Sequence, residues 1–132
     1  MVILMPLLFS IMFLGLQAAL FYHARTVAIA AAQEGARAAG AEAGSAGDGV
    51  AVASSFLTAA GGSDVLEHPS VSATRSATQA TVTVRGASLS VIPGWAPTVE
   101  QSATVPVERI TTGWSTGSDA MTGSGARPRS RR

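Results

Sequence analysis

The first 22 residues, MVILMPLLFSIMFLGLQAALFY, hold no charged side chain, and their apolar run is interrupted only at Pro6, Ser10, Gly15 and Gln17. As a helix this length reaches about 33 Å at 1.5 Å per residue, against a hydrocarbon core of about 30 Å. A buried core helix would show a polar stripe, and a chain this small could not cover so apolar a rod on every side. Residues 1–22 therefore read as one transmembrane helix. Pro6 lacks an N–H and its ring crowds the preceding turn, so a kink is expected there unless a neighbouring helix takes up the freed carbonyl. Phe21, Tyr22 and His23, followed by Arg25, are the aromatic and cationic residues expected where a helix meets the headgroups, which sets the interface near residue 22.

From His23 to Ala43 the chain is alanine-rich and free of proline, so the helix is expected to continue beyond the membrane through residues 23–43. Glu34 and Arg37 stand three apart and share a face. Ala28, Ala31, Ala32, Gly35, Ala36, Ala39 and Gly40 form a face of small residues that another helix could approach closely, as in a bundle or filament. The stretch Gly44 to Gly49 reads as a break. Asp48 is then expected to cap a second short helix, Val50 to Ala60, buried through Val52, Phe56 and Leu57 and ended by Gly61 and Gly62.

Beyond Pro69 the period changes to two. Val71 and Ala73 alternate with Ser70, Ser72 and Thr74; Ala80, Val82 and Val84 alternate with Thr81, Thr83 and Arg85. A third run, Thr98 to Ile110, puts Val99, Ala103, Val105 and Val107 on one face, with Pro106 marking an edge strand or bulge. Between the last two runs, Leu89 to Pro97 is an apolar turn with Trp95 at its tip, expected to pack into the core, with a membrane-proximal surface or a partner contact as the alternatives. The fold class is α+β: a long N-terminal helix, then a head over residues 48–110 with a short helix and an antiparallel sheet of about three strands. Residues 111–132, rich in Gly, Ser, Thr and Pro and ending in arginines, read as a disordered basic tail.

Composition narrows the function by exclusion. Charged residues make up 13% of the 132-residue chain and the mean hydropathy is +0.33, too apolar for an ordinary soluble domain and consistent with lipid as a partner. The net charge is only +1, and the arginines are scattered except at the end, so no basic face points to nucleic acid. There is no cysteine, and the two histidines, His23 and His68, have no metal-ligand spacing around them. No glycine-rich phosphate loop or nucleophile elbow occurs, so no catalytic residue, cofactor, metal or small-molecule substrate is expected. A cysteine introduced at Ser88 would offer a labelling site for sidedness.

The run from Val2 to Ala41, and above all the AAQEGAR box at Ala31 to Arg37 with Pro6 upstream, resembles the TadE-like proteins of the tight-adherence (Tad or Flp) pilus assembly system. The resemblance implies a non-catalytic minor pseudopilin: one helix in the cytoplasmic membrane, a small head on the extracytoplasmic side, and pilin-like or pilus assembly proteins as partners. In that setting Pro6 and Gly35 shape helix packing, while Gln33, Glu34 and Arg37 mark the junction of helix and head. The orientation is implied by the resemblance alone, because Arg25 and Arg37 after the helix favour the opposite sense by charge. The family pattern also includes a short basic leader, whereas here Met1 opens directly on the apolar run, so the expectation is a start further upstream, the alternative being a member that is never processed. The alternatives are a generic anchored envelope protein and a secreted protein whose first segment is a signal peptide.

Overall fold

The computed structural model describes residues 2–109 of the chain; the expected tail at 111–132 lies outside the described residues. The element order is α1 (Leu4–Gly40), α2 (Ala46–Ala59), a short 3-10 turn (Gly62–Asp64), β1 (Leu66–Arg75), β2 (Gln79–Ser88) and β3 (Thr98–Pro106). The three strands form one antiparallel sheet in the order β1-β2-β3. Both helices lie on one face of it, α1 across β2 and β3 and α2 against α1 and β1. The class is α+β, and among the described residues one long apolar helix is able to span a membrane.

Alpha-helix 1 is 37 residues long and changes character along its length. From Val2 to Leu16 every large apolar side chain lies open, from Val2 at 89% to Leu16 at 46%. From Gln17 onward one stripe becomes buried: Gln17, Ala24, Ala28, Ala31, Ala32, Gly35, Ala36, Ala39 and Gly40. The three- and four-residue steps from Ala24 onward keep that stripe on one side, as a helix facing a core requires. The small-residue face recognised in the sequence is thus covered by the chain's own α2 and sheet. Pro6 falls in the first turn of α1, where its missing N–H would have had no helical partner, so the expected kink has no hydrogen bond to break. The Ser10 hydroxyl donates back to the Pro6 carbonyl at 2.8 Å.

Alpha-helix 2 starts earlier than its sequence suggests. Ser45, not Asp48, is the N-cap: its hydroxyl accepts from the Asp48 N–H at 3.1 Å, and the Asp48 carboxylate accepts from the Ser45 N–H at 2.8 Å. The pair satisfies two otherwise orphaned donors. The buried positions are Gly49, Ala53 and Leu57, spaced by four, which leaves Val52 outside the contact and 39% exposed instead of buried. Phe56 is half-buried.

The inner face of the sheet carries Val71, Ala73, Ala80, Val82, Val84, Val99, Ala103 and Val105, the alternation read from the sequence. The outer face carries a polar ladder: the Thr81 and Thr104 hydroxyls meet at 2.8 Å, those of Thr83 and Ser102 at 3.1 Å, and Arg85 donates to Glu100 at 2.8 Å. Beta-strand 1 begins at Leu66, before Pro69, because a bulge between Glu67 and Ser70 absorbs the proline; His68 sits there at φ 49°. Pro106 ends β3 on an edge, as a residue with no N–H to donate should. The chain then turns back to α1, with the Glu108 N–H donating to the Gly40 carbonyl at 2.8 Å. Ser88 is fully buried and its hydroxyl finds no partner among the described residues, so it cannot serve as an exposed labelling position.

Candidate functional site

The AAQEGAR box occupies the middle of α1's covered half and is split by the helical period into two faces. Ala31, Ala32, Gly35 and Ala36 point into the head and are buried. Gln33 and Arg37 are exposed, Glu34 is half-exposed, and Arg37 donates to Glu34 at 3.1 Å across one turn. With side-chain exposures of 69% and 45%, that pair contributes little to stability. Tyr22, Thr26, Gln33 and Arg37 follow at helical steps on the face turned away from the sheet and are all exposed. The candidate residues are therefore not one cluster. Gly35 is an internal packing position, Gln33, Glu34 and Arg37 form an outward polar strip, and Pro6 lies far down the bare end of the helix.

Gly35 is a point of close approach between the two helices. A Cβ there would lie 2.7 Å from the Gly49 carbonyl oxygen and 2.9 Å from the Ala53 Cβ, while a Cβ on Gly49 would lie 2.9 Å from the Ala39 Cβ and 3.0 Å from the Gly35 carbonyl oxygen. The two glycines face each other, and neither position has room for a side chain. This contact fixes how the junction of the long helix is held against the head.

Gln17 was noted only as an interruption of the apolar run and not as a candidate site residue, yet it is the most constrained polar side chain on α1. It is 2% exposed; its amide nitrogen donates to the Leu89 carbonyl at 3.2 Å and its amide oxygen accepts from the Val91 N–H at 2.9 Å. The signal was present: Gln17 is the lone amide in an uncharged run, and a polar group inside such a run faces protein or water. Trp95, expected in the core, is 51% exposed. The loop that carries it runs past the end of the sheet and down the side of α1, so no second layer closes over the ring.

Residues 1–37 match the family model described as TadE-like protein. The TadE-like match covers α1 from its bare end through Arg37 and stops where the two-faced box stops; α2 and the sheet lie beyond it. No curated protein and no solved structure matches the chain. The TadE-like match over residues 1–37 and the uncovered apolar helix together support a single-pass membrane protein whose N-terminal segment is TadE-like. Among the described residues no group of three or more His, Asp or Glu side chains comes together to hold a metal ion, and His23 and His68 are exposed on separate elements.

Proposed function

We propose that this chain is a minor pseudopilin-type subunit that takes part, without catalysis of its own, in assembling a tight-adherence type pilus. Alpha-helix 1 is held in the cytoplasmic membrane as a single span and the head stands on the extracytoplasmic side. Its partners are membrane lipid and other pilin-like or pilus assembly proteins. The observation that carries this reading is the division of one continuous helix: bare and uncharged up to Leu16, clothed by its own head above Gln17, with the TadE-like match running across both.

A pilin-like mechanism needs that division. The bare half is stored in lipid and remains available to other apolar helices, while the head keeps its own fold wherever the bare half goes. Gly35 locks the head to the helix. The outward strip of Gln33, Glu34 and Arg37 is the polar surface on which a neighbouring assembly protein would read the junction. Pro6, near the start of α1, adjusts the bare half to its neighbours.

Deletion of the chain in its native host, followed by complementation, tests the reading. Pili should disappear while the other assembly proteins persist, and should return with the intact chain. They should return poorly with Gln33→Ala and Arg37→Ala together, although that variant remains in the membrane. Normal piliation after deletion would remove the pilus from the account and leave a generic anchored envelope protein.

A further inference from the structure

The β2–β3 connection, residues 89–97, leaves the sheet and descends along α1 toward its bare end. Gln17 holds it by two hydrogen bonds, to the Leu89 carbonyl and from the Val91 N–H. Below that, Val91, Ile92 and Pro93 line a shallow apolar groove with Ser10, Phe13 and Leu14 of α1. The loop therefore lies beside the part of the helix that has no other protein cover. We propose that this loop is a second membrane element, seated in the leaflet on the head's side, with lipid covering the exposed ring of Trp95.

Three observations carry the proposal. The first is level. Arg25 is the first charged residue on α1, and Leu14 is eleven residues below it, roughly 16 Å along a helix at 1.5 Å per residue. A bilayer of about 40–45 Å with a hydrocarbon core of about 30 Å leaves a headgroup layer of about 5–8 Å per side. Even with Arg25 at the outer limit of that layer, the loop beside Phe13 and Leu14 reaches hydrocarbon. A helix tilt of about 20° shortens the distance by only a few per cent.

The second is charge. From Gly86 to Val99 the chain holds no Asp, Glu, Lys, Arg or His, although charges flank it on both sides at Arg85 and Glu100. The uncharged stretch of the loop thus lies beside the uncharged stretch of the helix. The third is that the loop ties down part of its own backbone, as main-chain groups entering lipid require: three of the N–H groups of residues 89–97 find partners within the protein. The Val91 N–H donates to Gln17, the Ile92 N–H donates to the Ser90 hydroxyl at 3.1 Å, the Trp95 N–H donates to the Ile92 carbonyl at 3.2 Å, and the Ser88 N–H donates to the Pro97 carbonyl at 2.9 Å. The Ser90 hydroxyl in turn donates to the carbonyl of Ile92 or of Trp95. Pro93 and Pro97 have no N–H to satisfy. Trp95, amphipathic and half-open, is the residue type that anchors at the membrane interface.

The full chain has two tryptophans, so Trp114→Phe leaves Trp95 as the only tryptophan, excited selectively over Tyr22 at the red edge of the absorption band. That chain is reconstituted in phospholipid nanodiscs, whose two faces are both open to solvent. The expected result is a blue-shifted emission that is strongly quenched when the lipid is brominated along its acyl chains and is little affected by aqueous iodide. Quenching by iodide but not by brominated lipid would put the loop in water and overturn the proposal. Protection from both quenchers would mean that a second protein surface covers Trp95, and would overturn it equally. A reference chain with Ser72→Trp, Trp95→Phe and Trp114→Phe reports from the outer face of β1 and should show the opposite pattern. Co-migration of both chains with the discs separates failure of the loop to insert from failure of α1 to anchor.

Discussion

Substituting alanine at Gly35 is the sharpest test of how the head is attached. The added methyl would lie 2.7 Å from the Gly49 carbonyl oxygen, 2.9 Å from the Ala53 Cβ and 3.1 Å from Val82 Cγ1. The first of these atoms belongs to the backbone of α2, so no side-chain rotation relieves the contact and α2 itself must move. Overpacking of this kind costs about 1–3 kcal/mol. Replacing glycine by alanine within a helix returns about 1 kcal/mol, leaving a net loss of about 1 kcal/mol and at most about 2. Gly47→Ala is the matched control: it lies in α2, its nearest neighbour would be the Ser45 hydroxyl at an ordinary 3.5 Å, and the propensity gain goes unopposed. The two substitutions should therefore move stability in opposite directions. Thermal unfolding of the head in detergent, followed by protease cleavage within α2 and the sheet, resolves this, since about 1 kcal/mol shifts the midpoint of a domain this size by roughly 4–8 °C. If Gly35→Ala raised the midpoint as Gly47→Ala does, the close approach of the two helices would be wrong.

Gln17→Leu preserves bulk but strands the Leu89 carbonyl and the Val91 N–H; a loss of about 1–3 kcal/mol is expected, seen as faster amide exchange confined to residues 89–97. Gly86→Ala drives a methyl into the side chain of Leu66, which is 1% exposed, and should cost about 1–3 kcal/mol, read as a lower unfolding midpoint. Ser45→Ala removes one half of the capping box and should cost about 1 kcal/mol, with fraying restricted to the start of α2 in an exchange experiment. Arg85→Ala breaks an ion pair whose partners are 61% and 53% exposed, so a change above about 1 kcal/mol in the same melt would contradict the reading of the outer sheet face as solvated.

Much of the fold was legible because its signals are local. The uncharged run up to Tyr22, the alanine-rich continuation and the period-two alternation of Val82 and Val84 with Thr81 and Thr83 each state an element directly. The errors came from tertiary geometry. Val52 is as apolar as Leu57, and only the register set by Gly49 and Ala53 against α1 decides which of them faces inward. Ser45 and Asp48 are both good caps, and the reciprocal box settles their roles. Trp95 was expected in the core ahead of a membrane-proximal surface or a partner contact, but the length and direction of its loop take it past the sheet. The box at Ala31 to Arg37 carried the family resemblance as one motif, while the 3.6-residue period divides it between packing and surface. Gln17 was visible as an oddity; its partners, more than seventy residues away, were not.

The most direct test of the central claim, an anchored helix with its head across the cytoplasmic membrane, uses a single cysteine in this otherwise cysteine-free chain. Ser72 replaces Ser88 as the position, because it is exposed on β1 whereas Ser88 is buried. Intact cells making the full chain with Ser72→Cys are treated with a membrane-impermeant thiol reagent, and the membrane fraction is recovered. Labelling of the membrane-bound chain in intact cells is the expected result. Labelling only after lysis would place the head in the cytoplasm and contradict the assembly role proposed for it.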